Sequence, residues 1–366
     1  MATSPMESIL SGNIYKMSEI KYSKIAIVKL SAMGDIIHSM VVLQYIKKAN
    51  PNIQIDWIVE KGFVPLLENN PDIDNILPVN LKAIKKNKIL LFEEIKKLKM
   101  YAQNNYDIVI DMQGLLKSAM VSKILGPNVG FDKKSIREKI ASLFYEKSFF
   151  VPYSENVILR NMHLMSFSLD IGVEKNALMH KKVFLFFSKE DRDKTESYIQ
   201  EGQKTILHIL GSSWDSKIYP KKSFIEIINA LEGNHLLVWG NNNEKAYADH
   251  VAKHTKARML PAMNLNELKA LISKADLVIG ADSGPTHMAW AMNRPSITIF
   301  GPTPSKRNVF ATDINKTIDC GKEIDPLNLD KKDYCIENIK PFKIIDMAKI
   351  LLDRKYTTQI NNGEIK

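Results

Sequence analysis

KIAIVKLSAMGD (residues 24–35) joins a run of apolar residues to a loop of small residues that ends in an acid. A continuous β-branched run of this kind is typical of a strand buried on both faces of a parallel sheet. The next residues, 36–48, carry apolar side chains at helical spacing. The stretch therefore predicts the strand, loop and helix that begin a βαβ unit.

The same alternation recurs along the chain. In the first half, apolar runs at 53–60, 75–79 and 106–114 predict strands. In the second half the runs are at 205–210, 235–240, 258–263, 276–282 and 296–302, with helices predicted at 223–231 and 264–275. Asn264 and Glu267 occupy the positions of a capping box before the second of these helices. The pattern predicts an α/β protein with two doubly wound, Rossmann-like domains.

The expected division of the chain has four parts. They are a flexible leader (1–23, with Met17 as an alternative start), an N-terminal domain (24–175), a C-terminal domain (176–340) and a final helix and tail (341–366) that could pack back on the N-terminal domain. Ligands of doubly wound sheets bind beyond the carboxyl ends of the strands. The loops after residues 30, 111, 210, 240 and 282 are therefore expected to line a cleft between the two domains.

Composition limits the class of protein. The 366 residues are 45% hydrophobic and 25% charged, which argues against a disordered or fibrous chain. No apolar stretch approaches the roughly 18 residues that span a bilayer, and the first residues lack the pattern of a secretory signal. Two cysteines, Cys320 and Cys335, are too few for a disulfide scaffold, so a cytoplasmic location is expected.

The net charge of +10 favours anionic partners. Part of the excess lies in residues 82–99, which hold seven lysines and two glutamates. This run is either a solvated helix face or a contact with an acidic surface. Neither a dinucleotide-binding GxGxxG after the first strand nor a P-loop motif occurs, and metal-ligand spacings of His and Cys are lacking.

Three loops carry candidate chemistry. GADSGPTH (280–287) offers a helix start with small residues, which is either an ordinary capped turn or a phosphate site. SAMGD (31–35) places Asp35 where it could cap the next helix or act as a general base. GSSWDSK (211–217) offers two hydroxyls and a lysine, which suit a diphosphate or form a surface turn.

These segments together resemble the bacterial lipopolysaccharide heptosyltransferases of glycosyltransferase family 9. The resemblance extends from about residue 24 to about residue 350 and rests on ordered motifs. They are KLSAMGDIIH (29–38), DWIVEKGF (56–63), YDIVIDMQGLLKSA (106–119), REKIASLFY (137–145), SSWDSKIYP (212–220) and DSGPTHMAWAMNRP (282–295). Within that family the pattern is most similar to the type that adds the first heptose to the Kdo–lipid A core. It implies the GT-B fold, in which two Rossmann-like domains face each other across a cleft.

The resemblance also implies an inverting transfer of L-glycero-D-manno-heptose from ADP-heptose to Kdo of Kdo-lipid A, with no cofactor and no metal. Asp35 matches the general base, and Lys217 would stabilise the departing ADP. The residues that match donor contacts are Ser212, Ser213, Lys217, Glu244, Met263, Asp282, Ser283, Gly284 and His287. Expected acceptor contacts are Lys85, Lys86, Lys88 and Lys117.

Two alternatives remain open at this point. DSGPTH (282–287) also resembles sister heptosyltransferases that act on a heptosylated core. A remoter alternative is a non-enzymatic basic protein that binds nucleotide sugars or nucleic acid, although no nucleic-acid motif is present. The expected enzyme lies in the cytoplasm, peripheral on the inner membrane, and its partners are ADP-heptose and Kdo-lipid A.

Overall fold

The structure is a computed structural model, and it describes residues 20–84, 87–174 and 176–353. Two six-stranded sheets form, in which every pair of neighbouring strands is parallel. The first has the order β3-β2-β1-β4-β5-β6. Its strands are β1 (Lys24–Val28), β2 (Gln54–Glu60), β3 (Asn75–Val79), β4 (Ile108–Asp111), β5 (Asn128–Phe131) and β6 (Lys147–Phe149).

The second sheet repeats that order as β9-β8-β7-β10-β11-β12. Its strands are β7 (Thr205–Ile209), β8 (Asn234–Val238), β9 (Arg258–Met259), β10 (Leu277–Ala281), β11 (Ser296–Phe300) and β12 (Asn315–Asp319). In each sheet the order reverses between the first and fourth strands, and such a switch point opens a crevice at their carboxyl ends. The predicted pair of doubly wound sheets is confirmed.

Helices connect the strands of both sheets. In the first half they are α1 (Met33–Met40), α2 (Val42–Ala49), α3 (Val64–Leu67), α4 (Leu81–Ile84), α5 (Leu90–Ala102), α6 (Leu116–Leu125) and α7 (Val157–Leu169). In the second half they are α8 (Lys189–Glu196), α9 (Lys221–Ala230), α10 (Asn242–Lys253), α11 (Leu265–Lys274), α12 (Gly284–Ala291), α13 (Ser305–Asn308) and α14 (Pro341–Asp353).

Local sequence signals are reproduced at α11 and are modified at α1. The Asn264 side chain accepts hydrogen bonds from the amides of Asn266 and Glu267, and Glu267 accepts one from the Asn264 amide. This is the capping box that the sequence predicts. Helix α1 begins inside the predicted loop, so Asp35 lies in the first helical turn rather than before it.

The last helix packs differently from expectation. Ile344, Ile345, Ala348 and Leu351 of α14 are buried with Ile227 and other residues of the second half, in one hydrophobic cluster. Helix α14 contacts α9, β10 and β11. Helix α14 therefore packs on the second half and not back on the N-terminal domain, because α9 and the second sheet bury its apolar residues.

Some sequence expectations fall outside the described residues, namely the leader residues 1–19 with Met17, and residues 354–366 of the tail. Within the part of the chain that the structure describes, the two cysteines, Cys320 and Cys335, form a disulfide. No helix among residues 20–84, 87–174 and 176–353 has the length and apolar character to cross a membrane.

Candidate active site

A cavity of about 790 Å³ lies where loops from the carboxyl ends of both sheets meet. The loops after β1, β4, β7, β8 and β10 all contribute to its lining, as the strand topology predicts. Every residue that the sequence nominates for catalysis or donor binding lines this one cavity. These residues are Asp35, Ser212, Ser213, Lys217, Glu244, Met263, Asp282, Ser283, Gly284 and His287.

Asp35 faces the cavity from the first turn of α1. Its carboxylate accepts a hydrogen bond of 3.3 Å from the Ala32 amide, and the residue is half-buried. Two cations lie near it, Lys29 at the end of β1 and Arg307 from the second half. Burial lowers the pKa of Lys29, and the negative charges of Asp35 and Asp111 oppose that shift. Asp35 thus braces the helix start and also faces the cavity, so its position is compatible with either role that the sequence left open.

The Asp282 carboxylate is the centre of a buried polar cluster. Its oxygens lie 2.8 Å from the Lys217 ammonium and 3.0 Å from His287 Nε2, and both lysine and aspartate side chains are less than a tenth exposed. The hydroxyl of Thr303 donates to it at 2.7 Å, and the Asn308 amide donates at 3.3 Å. Burial favours the neutral acid, but Lys217 and His287 outweigh it and hold the pKa of Asp282 well below its ordinary value.

The hydroxyls of the donor loops point to different partners. Ser212 donates to the Asp282 carbonyl at 3.1 Å, and Ser213 is exposed at the cavity. Ser283 occupies the N-cap position of α12, but its side chain makes no capping hydrogen bond and lies 3.1 Å from the Thr286 hydroxyl. The Ser283 hydroxyl therefore takes the Thr286 hydroxyl as its partner and not a backbone amide of the helix start.

Glu244 lies in the first turn of α10 and lines the cavity beside the loop after β8. Its carboxylate accepts hydrogen bonds from the Gly240 amide at 2.6 Å and from the Asn241 side chain at 2.7 Å. A Cβ at Gly211 would lie 2.1 Å from the Glu244 carboxyl carbon, so only glycine allows this approach between the loops after β7 and β8. Met263 completes this side of the cavity.

Two of the four lysines proposed for the acceptor are described by the structure, and they lie outside the cavity lining. Lys85 and Lys86 lie outside the described residues, and Lys88 is exposed. Lys117 is half-buried and acts electrostatically on Glu60. Neither Lys88 nor Lys117 lines the cavity.

Comparison with known proteins assigns the chain to a family. A profile of glycosyltransferase family 9 (heptosyltransferase) matches residues 95–325. The chain belongs to this family. The predictions of a glycosyltransferase and of heptosyl transfer are thereby confirmed, and the non-enzymatic alternative is not favoured.

Relatives in the family match nearly the whole chain. Lipopolysaccharide heptosyltransferase 1 of Campylobacter coli is 42% identical over 90% of this chain and 98% of its own. The enzyme of the same name from Salmonella typhimurium is 30% identical over 76% of this chain and 89% of its own. The structure of the heptosyltransferase WaaC of E. coli with ADP superposes with a TM-score of 0.75, at 23% identity, over 90% of this chain and 99% of that one. The shared fold confirms the GT-B architecture.

Sequence reasoning missed four basic residues that line the cavity of this chain. Lys29, Arg137, Arg160 and Arg307 all line it. Arg160 is buried on α7, where it donates to the Ser135 and Val151 carbonyls and its pKa is lowered to about 10 by burial. Arg137 stands first in the REKIASLFY motif, which was a signal for it, whereas nothing local marks Arg307 in the short helix α13.

Arg307 connects the two halves of the molecule. Its Nε donates to the Tyr153 carbonyl at 2.8 Å, and its guanidinium lies over the Tyr153 ring at 4.4 Å. Burial lowers the pKa of Arg307, while Tyr153 and Asp35 oppose the shift. The Arg307 guanidinium of the second half is thus held near the Asp35 carboxylate of the first half.

The side chains of the described residues offer no evident metal site. Residues 20–84, 87–174 and 176–353 contain no group of three His, Cys, Asp or Glu side chains placed to hold a metal ion. The one buried acid at the centre of the cavity, Asp282, already has a lysine and a histidine as partners.

Proposed function

We propose that the chain transfers L-glycero-D-manno-heptose from ADP-heptose to a hydroxyl of Kdo in Kdo-lipid A, with inversion, in the synthesis of the lipopolysaccharide inner core. The 42% identical relative, named lipopolysaccharide heptosyltransferase 1, supports this acceptor. The donor is supported by the similarity in fold to WaaC of E. coli, which was solved with ADP-2-deoxy-2-fluoro heptose. The relatives from Campylobacter coli and Salmonella typhimurium are both named heptosyltransferase 1, which favours the first-heptose type over the sister enzymes.

The observation that carries the proposal is that Asp35 and the Asp282 cluster line the same cavity from opposite halves. In an inverting transfer the base and the leaving group must lie on opposite sides of the anomeric carbon. Asp35 would take the proton of the attacking Kdo hydroxyl while that oxygen bonds to the anomeric carbon. The bond from this carbon to the diphosphate breaks, and its electron pair leaves with ADP.

The departing ADP gains negative charge, which must be stabilised. The first amides of α12, at Gly284, have no intrahelical partners, and a helix start favours an anion. The hydroxyls of Ser212 and Ser213 and the Lys217 ammonium would add further donors. Lys217 is paired with Asp282 at 2.8 Å, so part of its positive charge is already compensated. The start of α12 would therefore provide a larger part of the stabilisation of the ADP charge.

The remaining residues would position the two substrates. Glu244 and Met263 would contact the adenosine part of the donor, and Asp282 with His287 would contact the heptose side. The first half would then hold the acceptor and the second half the donor. Kdo carries a carboxylate, so Lys29 and Arg307 near Asp35, together with Arg137 of the same cavity, would hold its acidic group.

Lys85, Lys86, Lys88 and Lys117 would act farther from the reacting atoms. We assign them to contact with the anionic surface that carries the acceptor, with the enzyme peripheral on the cytoplasmic face of the inner membrane. Basic residues near such a surface are worth up to about 1 kcal/mol each.

Mass spectrometry of Kdo-lipid A after incubation with the enzyme and ADP-heptose tests the proposal. The expected product is heavier by one heptose residue and is absent when ADP-heptose is omitted. A parallel reaction with an already heptosylated core separates the first-heptose type from its sisters. Transfer to the heptosylated acceptor alone would contradict the proposed acceptor.

A further inference from the structure

We propose that a surface of exposed apolar residues beside the cavity inserts into the membrane that bears the lipid acceptor. This inference rests on the proposed function, because only a lipid-linked acceptor needs such a surface. The surface, called here the apolar rim, comprises Ile89, Leu91, Phe92, Leu116, Met120, Ile140 and Leu143. The four most exposed large hydrophobic side chains of the described residues all belong to it, led by Leu143 at 81% and Phe92 at 76%.

The apolar rim is built from three neighbouring elements. Helix α5 packs against α6, and α6 packs against the 3₁₀ segment Lys139–Phe144. The Leu116 amide donates to Glu138 at 2.7 Å, which ties the start of α6 to that segment. Side chains exposed on packed neighbours of this kind contribute to one surface rather than to scattered sites.

The rim also adjoins the cavity. Helix α6 and the 3₁₀ segment are the elements that follow β4 and β5, so the chain enters them from the edge of the sheet where those strands end. Leu115 lines the cavity and immediately precedes Leu116 of the rim, and Arg137 lines it three positions before Ile140. A sugar that enters the cavity from this side would leave its lipid anchor next to the rim.

Charge identifies the occupant as a membrane with anionic lipids. In residues 87–102, 116–125 and 131–144, basic residues outnumber acidic ones by ten to four. Apolar side chains among basic ones are typical of proteins that lie in the interface of a bilayer. A second copy of the chain would present the same positive charge to this surface and would be repelled. Monomeric proteins also rarely leave a large apolar patch in water without a partner for it.

Flotation with vesicles of phosphatidylethanolamine and phosphatidylglycerol tests the inference, with neither donor nor acceptor present. The variant pair Phe92→Ser and Leu143→Ser, made together in the full chain, should lower the vesicle partition coefficient about tenfold or more, because each change removes a large apolar side chain from the bilayer. The matched control is Phe342→Ser with Ile350→Ser, which alters two half-exposed apolar residues of α14 in the second half. The control should bind vesicles like the wild type.

Turnover of a deacylated, water-soluble Kdo acceptor shows whether the rim variant is intact, and it should stay at the wild-type rate. Equal partition of wild type and rim variant would overturn the inference. So would a wild-type dimer in solution that the rim variant dissociates, because the rim would then be an interface between copies. A further outcome is that the rim variant binds vesicles less than the wild type but the enzyme does not heptosylate Kdo-lipid A. That result would support the apolar rim as a membrane-binding surface and would contradict the proposed acceptor.

Discussion

The His38 imidazole packs edge-on against the His287 imidazole, with ring centroids 4.4 Å apart. His38 belongs to α1 of the first half, and His287 belongs to α12 of the second. A Cβ at Gly34 would lie 2.9 Å from His287 Cδ2, so glycine permits this approach. Because Asp35 follows Gly34 and His287 contacts Asp282 at 3.0 Å, the contact sets the spacing between the proposed base and the donor loop.

Asp35→Asn should lower turnover by roughly 10²–10⁴, the usual range for the loss of a general base. Asparagine has nearly the same shape and can still accept a hydrogen bond from the Ala32 amide. ADP affinity, measured by calorimetry, should therefore remain near the wild-type value. Near-normal turnover in this variant would reduce Asp35 to a brace for the start of α1.

Lys217→Met should weaken ADP-heptose binding and slow turnover, because a charged donor is lost. It also leaves the buried Asp282 carboxylate without its main counter-charge, which should cost about 3–5 kcal/mol in the free energy of unfolding. The double variant Lys217→Met with Asp282→Asn should recover most of that stability in urea unfolding, but not the activity. Excess EDTA should leave the wild-type rate of transfer largely intact, because Lys217 and the start of α12 are expected to stabilise the diphosphate. A rate that EDTA abolishes and magnesium restores would show that a metal carries the diphosphate charge.

Arg307→Gln should raise the acceptor Michaelis constant by about tenfold or more, since a charge-assisted contact with a carboxylate is lost. The donor constant should change little. Lys306→Gln is the matched control, because Lys306 is the exposed neighbour of Arg307 and does not line the cavity. Equal acceptor constants in the two variants would remove Arg307 from acceptor binding.

Changing Lys85, Lys86 and Lys88 to Gln together should raise the apparent Michaelis constant for Kdo-lipid A and flatten its dependence on salt. The reason is that salt screens the attraction between basic residues and an acidic surface. The constant for ADP-heptose should not move. Wild-type values for both constants and for the salt dependence would identify the lysine run as a solvated helix face.

Acid should destabilise the protein through His208. This side chain is buried in β7, 2.9 Å from the His235 ring, and burial together with the His235 charge lowers its pKa far below the usual value. The unfolded chain takes up a proton near pH 6.5, so His208 favours the folded state above that pH and loses this contribution below it. Between about pH 6.5 and pH 5, the wild type should lose up to about 1.4 kcal/mol of unfolding free energy per pH unit relative to His208→Gln. The unfolding free energy of both proteins is measured by urea unfolding at each pH. The same change with pH in the wild type and in His208→Gln would contradict this prediction.

Local sequence determined nine of the twelve strands in the described residues and the capping box at Asn264, because a β-branched run or a capping pair acts on its own neighbours. The short strands β5, β6 and β12 were not predicted. Local sequence also determined which loops form the site. In a parallel sheet the carboxyl ends of the strands share one edge, so the loops that hold Asp35, Ser212, Glu244 and Asp282 are predicted to line one cleft.

The partnerships inside that cavity were decided by the tertiary structure alone. Lys217 and Asp282 are 65 positions apart in sequence, and no pattern predicts that one neutralises the other. Arg307 reaches Asp35 only because α13 packs beside Tyr153 of the first half. Likewise, a leucine such as Leu143 looks like a core residue until packing leaves it in solvent. Contact, burial and charge compensation are properties of pairs that the fold brings together, whereas a sequence pattern describes neighbours along the chain.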